Sequence, residues 1–203
     1  MLFKGLLFGF VLAAIVGPMW VLCFRRTIEQ GVAAGMVSGL GIAVADAVYG
    51  AIAAFGLTAI SGFLLAHSFW IGIAGVAFLG CLGVKALAAK PAELTATADA
   101  VPSRSLGAAF VSTLTLTLAN PPTILAFTAM FAGLGLAAGA NYQSAGLIVA
   151  GVFVGSAAWW VILVAGAAAL RARLSTRLLR AINVVSGVTI LAFAAWQLAA
   201  LMR

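Results

Sequence analysis

The chain has 203 residues, of which 65% are hydrophobic and only 7% are charged. A water-soluble domain carries about 25% charged residues, so this composition excludes a soluble globular protein and indicates an integral membrane protein. The formal net charge of +7 would point to a nucleic-acid partner in a soluble protein, whereas in a membrane protein it bears on which side of the bilayer the basic residues occupy.

Six segments are apolar over the roughly 20 residues that one helical crossing of the bilayer needs. They predict transmembrane helices at residues 3–24, 32–60, 68–87, 105–132, 142–169 and 181–202. The first resembles a signal peptide because Lys4 precedes its apolar run, but no small-x-small cleavage site leads into a soluble chain. We therefore predict an all-α integral membrane protein with six transmembrane helices.

Basic residues are unevenly distributed between the two ends of these spans. Nine of the eleven lie in or beside the connections that join spans 1 and 2, spans 3 and 4, and spans 5 and 6: Arg25, Arg26, Lys85, Lys90, Arg104, Arg171, Arg173, Arg177 and Arg180. Only Lys4 and Arg203 lie on the other side. The positive-inside rule places the connections in the cytoplasm and both termini outside, which explains the net charge without a nucleic-acid partner. A lipid-headgroup or partner-binding site is the alternative interpretation of the basic cluster from Arg171 to Arg180.

The two halves of the chain show a weak internal repeat. Three segments of residues 1–87 align with segments of residues 105–203, at offsets that rise along the chain: Gly17-Pro18 with Asn120-Pro121, Gly41 and Asp46 with Gly151 and Ser156, and residues 75–85 with residues 187–197. The polar residues 88–104 are predicted to be a cytoplasmic linker. Because each half has three spans, the second half enters the membrane from the opposite side. This predicts a 3+3 inverted-topology repeat, typical of secondary transporters, with chance matching of small apolar residues as the alternative.

Asp46 is the only acidic residue in the interior of a predicted span. It lies 14 residues from Val32, or about 21 Å along a helix, which is near the middle of the membrane. A carboxylate there costs at least a few kcal/mol, so we expect it to face the bundle interior and to carry a proton or bind a cation or ammonium group. Tyr49 lies on the same helical face and is expected to share the site. The alternative is a structural carboxyl group that is hydrogen-bonded to Ser, Thr or Tyr.

Two proline breaks interrupt the spans, at Gly17-Pro18 and at Asn120-Pro121. Proline removes helical hydrogen bonds, and freed backbone at membrane depth is tolerated where it is buried in protein or lines a cavity. The N-terminal ends of broken helices attract anionic groups such as a carboxylate. Gly17, Pro18, Asn120 and Pro121 are therefore predicted substrate-binding positions, with a purely structural kink as the alternative.

No motif in the sequence indicates an enzyme, a cofactor or a metal site. There is no P-loop for ATP, no His, Cys and carboxylate cluster with metal-ligand spacing, and no nucleophile–base pair. Cys23 and Cys81 form no CxxC pair and are expected to be small packing residues. Heavy-metal cation export and transmembrane thiol-redox transfer remain alternative functions, as does a purely structural membrane subunit.

The order of these motifs resembles that of the LysE/RhtB family of bacterial amino-acid exporters over nearly the whole chain. Val16-Gly17-Pro18 resembles the family's Pro-Gly-Pro. The family's glycine-rich second helix, which ends in Gly-Asp, is matched by Gly31, Gly35, Gly41 and Asp46. Its Asn-Pro-Lys followed by aromatics is matched by Asn120-Pro121-Pro122 with Phe127 and Phe131. The departures are Val16 for Pro, Ala45 for Gly, and Pro122 for Lys, so no role is carried over for that lysine.

The resemblance implies a multi-pass protein of the bacterial inner membrane that exports amino acids or similar small metabolites. It also implies that the proton-motive force drives export, and the lack of cofactor motifs leads us to expect no cofactor. The expected partners are therefore a small-molecule substrate, H⁺ and the lipid bilayer. Glycine stripes on the helices would also permit a homodimer.

Overall fold

The structure is a computed structural model that describes residues 1–15, 17–55, 66–88, 103–120, 123, 126–127, 142–171 and 176–202. The described residues are helical and contain no strand. They form seven helices: α1 Leu2–Ala14, α2 Pro18–Gln30, α3 Val32–Ala54, α4 Ser68–Ala88, α5 Ser103–Leu118, α6 Tyr142–Arg171 and α7 Thr176–Leu201.

Four of these helices, α3, α4, α6 and α7, are each long and apolar enough to cross a membrane. The pair α1 and α2 passes the same test as a fifth span that is bent by 77°. The prediction of an all-helical membrane protein is thus confirmed, with four or five candidate spans among the described residues. The predicted span 105–132 begins as α5, and most of its residues after 120 lie outside the described part of the chain.

The first predicted span differs most from the observed helices. We expected one helix over residues 3–24, but the chain forms α1 and α2 instead, and α2 continues to Gln30. The connection between spans 1 and 2, to which Arg25 and Arg26 were assigned, is the single residue Gly31. Both arginines belong to α2, so the first span extends beyond the predicted end at residue 24.

Gly31 turns the chain between α2 and α3 within one residue. Its backbone has φ 96° and ψ 174°, a conformation that is essentially restricted to glycine. Its N–H donates to the carbonyl of Thr27 at 3.1 Å, and its own carbonyl accepts from Gly35 at 3.2 Å. This turn is what lets α2 lie directly against α3.

Glycines bring α1 and α6 into backbone contact. A Cβ atom added at Gly5 or Gly9 would collide with main-chain carbonyls of α6, and one added at Gly151 or Gly155 would collide with the main chain of α1. Small residues allow membrane helices to approach closely and to gain van der Waals contact where lipid provides no hydrophobic drive. Gly41 gives α3 the same close approach to α5, where it faces the carbonyl of Phe110.

Contacting residues fix the direction in which neighbouring helices run. α1 is parallel to α6 and α3 is parallel to α5, whereas α3 is antiparallel to α6 and α4 is antiparallel to α7. α1 contacts α6 at Gly5–Ile148 and Gly9–Val152, and α3 contacts α5 at Ser38–Thr113 and Tyr49–Leu118. α3 contacts α6 at Gly39–Trp160 and Gly50–Val152, and α4 contacts α7 at Gly75–Gln197 and Gly83–Gly187. Consequently α1 and α5, α3 and α6, and α4 and α7 each run in opposite directions.

Candidate functional site

A cavity of about 310 Å³ lies where the break between α1 and α2 meets α3, α5, α6 and α7. Of the described residues that line it, Asp46 is the only charged one. Its other polar lining residues are Thr117, Asn120, Thr123 and Gln197. Apolar and aromatic side chains make up most of the remaining wall, including Met19, Ile42, Phe127, Trp160 and Phe193.

Four of the six predicted site residues come together at this cavity. Gly17, Pro18, Asp46 and Asn120 line it although they belong to three separate parts of the chain. Tyr49 does not line it. Pro121 lies outside the described residues.

Tyr49 contacts two residues next to or in the cavity wall, Leu118 and Phe127. Its hydroxyl donates to the carbonyl of Leu118 at 2.6 Å, and its ring stacks on Phe127 with centroids 5.8 Å apart. Leu118 is the last residue of α5, so Tyr49 satisfies a carbonyl that the helix end leaves free. Tyr49, which was predicted to bind the ligand, thus holds the end of α5 next to the cavity through its hydrogen bond to Leu118.

Asp46 is buried in the wall of the cavity and is held by one hydrogen bond from α6. The Ser156 hydroxyl donates to Asp46 Oδ2 at 2.7 Å, and both residues are buried. An ionised carboxylate has about four acceptor positions on its two oxygens, and among the described residues only the Ser156 hydroxyl occupies one of them. Ser156 is also the residue that the sequence alignment of the two halves pairs with Asp46, and the two residues meet where α3 contacts α6.

The break after α1 exposes the start of α2 to the cavity. Gly17 is the N-cap and provides no side-chain cap, while Pro18 occupies the first helical position, where its missing N–H costs nothing. The N–H groups of Met19 and Trp20, both lining residues, have no carbonyl within the helix to bind. The N–H groups at a helix start carry partial positive charge, so this end of the cavity favours an anionic group.

The second break ends α5 at Leu118. Asn120 lies outside the helix, its N–H donates to the carbonyl of Thr117 at 3.2 Å, and its side-chain amide donates to Thr123 Oγ1 at 2.9 Å. The helix ends here because Pro121 and Pro122 follow and have no N–H to continue its ladder. Asn120 thus shapes a turn in the cavity wall.

Three further polar groups of the wall were not selected from the sequence. Thr117 Oγ1, Trp160 Nε1 and Gln197 Nε2 are buried and have no hydrogen-bond partner among the described residues. The signal that could have found Gln197 is its depth in an otherwise apolar span. Thr117, beside the second break, and Trp160, in the middle of its span, were left open between pathway and packing, because only the packing of α5 and α6 shows which residues line the cavity.

The sequence model of the LysE type translocator family matches residues 10–200. The chain belongs to this family. Searches of curated proteins and of solved structures gave no match. The family match confirms the resemblance predicted from the motifs and covers every residue that lines the cavity. This LysE type translocator is accordingly a membrane transport protein of a family associated with the export of small molecules.

Proposed function

We propose that this translocator is a proton-coupled secondary exporter of amino acids or similar small metabolites in the bacterial inner membrane. The observation that carries the proposal is the position of Asp46 in the wall of the cavity at the break between α1 and α2. An ionisable residue inside a membrane protein marks an ion or substrate pathway by default. Family membership supports export as the direction of transport.

The proposed architecture is a 3+3 inverted repeat that works by alternating access. Its support is that α1 and α5, α3 and α6, and α4 and α7 run in opposite directions, as corresponding helices of such a repeat must. The first helix of each half packs on the middle helix of the other half, and the Asp46–Ser156 bond joins two aligned positions. Substrate sites of secondary transporters lie at such repeat interfaces near the bilayer midplane.

In the proposed cycle, one carboxylate binds the substrate and the proton in turn. Ionised Asp46 binds an ammonium group that enters from the cytoplasm. On the outer side a proton takes its place, the substrate leaves, and the protonated carboxyl group favours return to the inward-facing state. Release of that proton into the cytoplasm resets the site, so each substrate exported is exchanged for a proton imported.

The test is efflux from proteoliposomes with and without an imposed pH gradient, using a panel of amino acids. We expect the pH gradient to accelerate efflux by the wild type. We expect Asp46→Asn to lower this gradient-driven efflux rate at least tenfold. Glu29→Gln is the matched control, because Glu29 is a carboxylate of α2 that pairs with Arg25 at 3.0 Å outside the cavity lining. If Asp46→Asn transported against a gradient with unchanged pH dependence, the carrier role would be wrong.

Heavy-metal cation export and thiol-redox transfer would both require cysteines near the cavity. Cys23 is buried, with its thiol donating to the carbonyl of Gly35 at 3.4 Å, and Cys81 is exposed on α4. Neither lines the cavity. The Cys23→Ala, Cys81→Ser double variant is therefore expected to retain transport, and its complete loss would favour metal or thiol chemistry. Solute counterflow separates any transporter from a purely structural subunit.

A further inference from the structure

A groove of about 250 Å³ lies between α2 and α7. Three of its described lining residues belong to α2 and five to α7, and all are apolar or aromatic except Ser186 and Thr189. Val185 in its wall is 64% exposed, so the groove opens onto the surface of the bundle. Of its described lining residues, only Trp20 also lines the cavity.

The shape of the groove suits an extended apolar chain. Its α2 wall contains the stacked rings of Trp20 and Phe24, with centroids 5.3 Å apart. Its α7 wall runs from Ala181 to Thr189, about 12 Å at 1.5 Å per residue. Half of the hydrocarbon core of a bilayer is about 15 Å thick. The groove therefore has the length of one leaflet, which fits an acyl chain better than a transmembrane helix that crosses both leaflets.

Both walls of the groove continue into an arginine. On α2, Arg25 follows the lining residue Val21 by four positions, and on α7, Arg177 precedes the lining residue Ala181 by four. Residues four apart on a helix lie on the same face, one turn from each other. Arg25 Nε reaches Asn183 Oδ1 at 3.3 Å, so the two walls meet near this end.

α2 and α7 run in opposite directions, which brings the two arginines to the same end of the groove. Arg25 is level with Asn183, and Ile28, nearer the end of α2, packs in one cluster with Leu179, nearer the start of α7. The positive-inside rule places this end at the cytoplasmic surface.

These arginines have hydrogen-bond donors and charge to spare. Arg25 uses only Nε, for Glu29 at 3.0 Å and for Asn183, and its two Nη groups donate to no described residue. Arg177 and its neighbour Arg180 are exposed, and neither has an ion pair within the described ranges. Glu29 offsets one of the three positive charges, which leaves a net charge of +2 at this end of the groove.

We propose that the groove between α2 and α7 binds one acyl chain of an anionic phospholipid of the cytoplasmic leaflet, with the lipid phosphate at Arg177 and Arg25. Basic pockets between transmembrane helices at the cytoplasmic side bind such headgroups, and arginine forms charge-assisted hydrogen bonds with phosphate. The apolar wall holds the chain, whose transfer from one apolar surface to another costs little. A zwitterionic lipid offers the same chains, but its own cation opposes binding beside the arginines.

The lipid would join the two halves of the chain. α2 precedes residues 88–104 and α7 follows them, and the groove is formed by both. Trp20 contacts the cavity on one side and the groove on the other, so an acyl chain in the groove supports a residue of the cavity wall.

The experiment is native mass spectrometry of the full-length protein in detergent. The probes are phosphatidylglycerol, phosphatidylcholine with the same acyl chains, and glycerol 1-phosphate, which has no chain. We expect phosphatidylglycerol to bind at least about fivefold more tightly than phosphatidylcholine, because one basic residue near a membrane surface is worth about fivefold in affinity. Equal binding of the two lipids would overturn the proposal, and so would binding of glycerol 1-phosphate as tight as that of phosphatidylglycerol.

A charge variant tests the phosphate position. We expect Arg177→Gln to weaken phosphatidylglycerol binding about fivefold and to leave phosphatidylcholine binding unchanged. Lys85→Gln is the matched control, because Lys85 is an exposed basic residue near the end of α4 and does not line the groove. The same loss in both variants would mean that the headgroup is attracted by charge in general, and the assigned position would be wrong.

A filled groove tests the position of the acyl chain. We expect Val185→Trp to weaken phosphatidylglycerol binding at least fivefold. Val188→Trp is the matched control, because Val188 is 55% exposed on the same helix but does not line the groove. Equal losses in the two variants would overturn the assignment, as would a wild-type dimer that Val185→Trp dissociates, since a second copy would then occupy the groove.

These measurements need no transport, so they stand or fall independently of the proposed export. Arg177, Val185 and their controls are exposed, and we expect all four variants to unfold at the wild-type temperature in detergent without added lipid. Added phosphatidylglycerol should then raise the melting temperature of the wild type more than that of Arg177→Gln or Val185→Trp. Equal increases would contradict the site.

Discussion

At the scale of single residues, some buried polar groups bind neighbouring backbone, while others have no partner among the described residues, both at the cavity and away from it. Thr113, fully buried in α5, donates to the carbonyl of Ser38 at 2.9 Å, and Tyr49 caps the end of α5. Thr117, one helical turn beyond Thr113, has no such partner among the described residues. Neighbouring turns of α5 thus differ, because Thr113 joins α5 to α3 while Thr117 lines the cavity.

Gly31 provides a stability prediction at this scale. Gly31→Ala places a Cβ on a backbone with φ 96°, which costs about 1–3 kcal/mol, so we expect a lower melting temperature in detergent. Gly107→Ala is the control, because a Cβ at this position of α5 meets nothing within 4 Å and alanine is the better helix former. Equal melting temperatures for the two variants would contradict the strained turn.

At the scale of helices, the contact between α1 and α6 depends on the absence of side chains. Gly9→Val would drive a branched side chain into the carbonyl of Val152, and overpacking of this kind costs at least about 1–3 kcal/mol. We expect reduced yield of folded protein and a lower melting temperature. Gly146→Ala, at an open position of α6, should leave both unchanged, and the same loss in this control would show that α6 tolerates no substitution.

Arg26 joins α2 to two other helices and has no ionic partner in the part of the chain that the structure describes. Its Nη1 donates to Ser38 Oγ at 3.0 Å and to the carbonyl of Ala109 at 2.9 Å, and its Nη2 donates to Ser112 Oγ at 2.8 Å. The fork geometry of the guanidinium is what allows one side chain to reach both α3 and α5.

Lysine cannot reproduce this fork although it keeps the charge. We therefore expect Arg26→Lys to lower the free energy of unfolding by about 1–3 kcal/mol, measured by thermal or denaturant unfolding. The exposed Arg180→Lys serves as the control for a change of cation alone. A fully stable Arg26→Lys would mean that the charge, not the fork, holds α2 in place.

At the scale of the whole molecule, the distribution of basic residues predicts which side of the membrane each connection faces. In the Cys23→Ala, Cys81→Ser background, we expect Tyr142→Cys to react with an impermeant maleimide from outside and Thr97→Cys to react only in inverted vesicles. Tyr142 is 84% exposed at the start of α6, so failure to react from either side would not reflect burial. Reversed labelling would overturn the outward placement of the termini.

Much of the molecule was predictable because bilayer physics restricts the sequence strongly. Long apolar runs gave the helices, and the rarity of charge within them singled out Asp46. The orientation of Gln197 and Trp160 was not predictable, because it depends on how helices from distant parts of the chain pack. Arg25 and Arg26 were misplaced because charge normally marks a connection, whereas here Arg26 is held by polar groups of neighbouring helices.

The glycine contact of α1 with α6 bears on how the protein can move. Two main chains that touch directly cannot slide past each other without losing that fit, so we expect α1 and α6 to travel as one body, and α3 and α5, joined at Gly41, as another. Each of these bodies combines one helix from either side of residues 88–104. We therefore expect the mechanical boundary to cut across the order of the sequence, with the hinge at the break at Gly17, where α1 leaves α2.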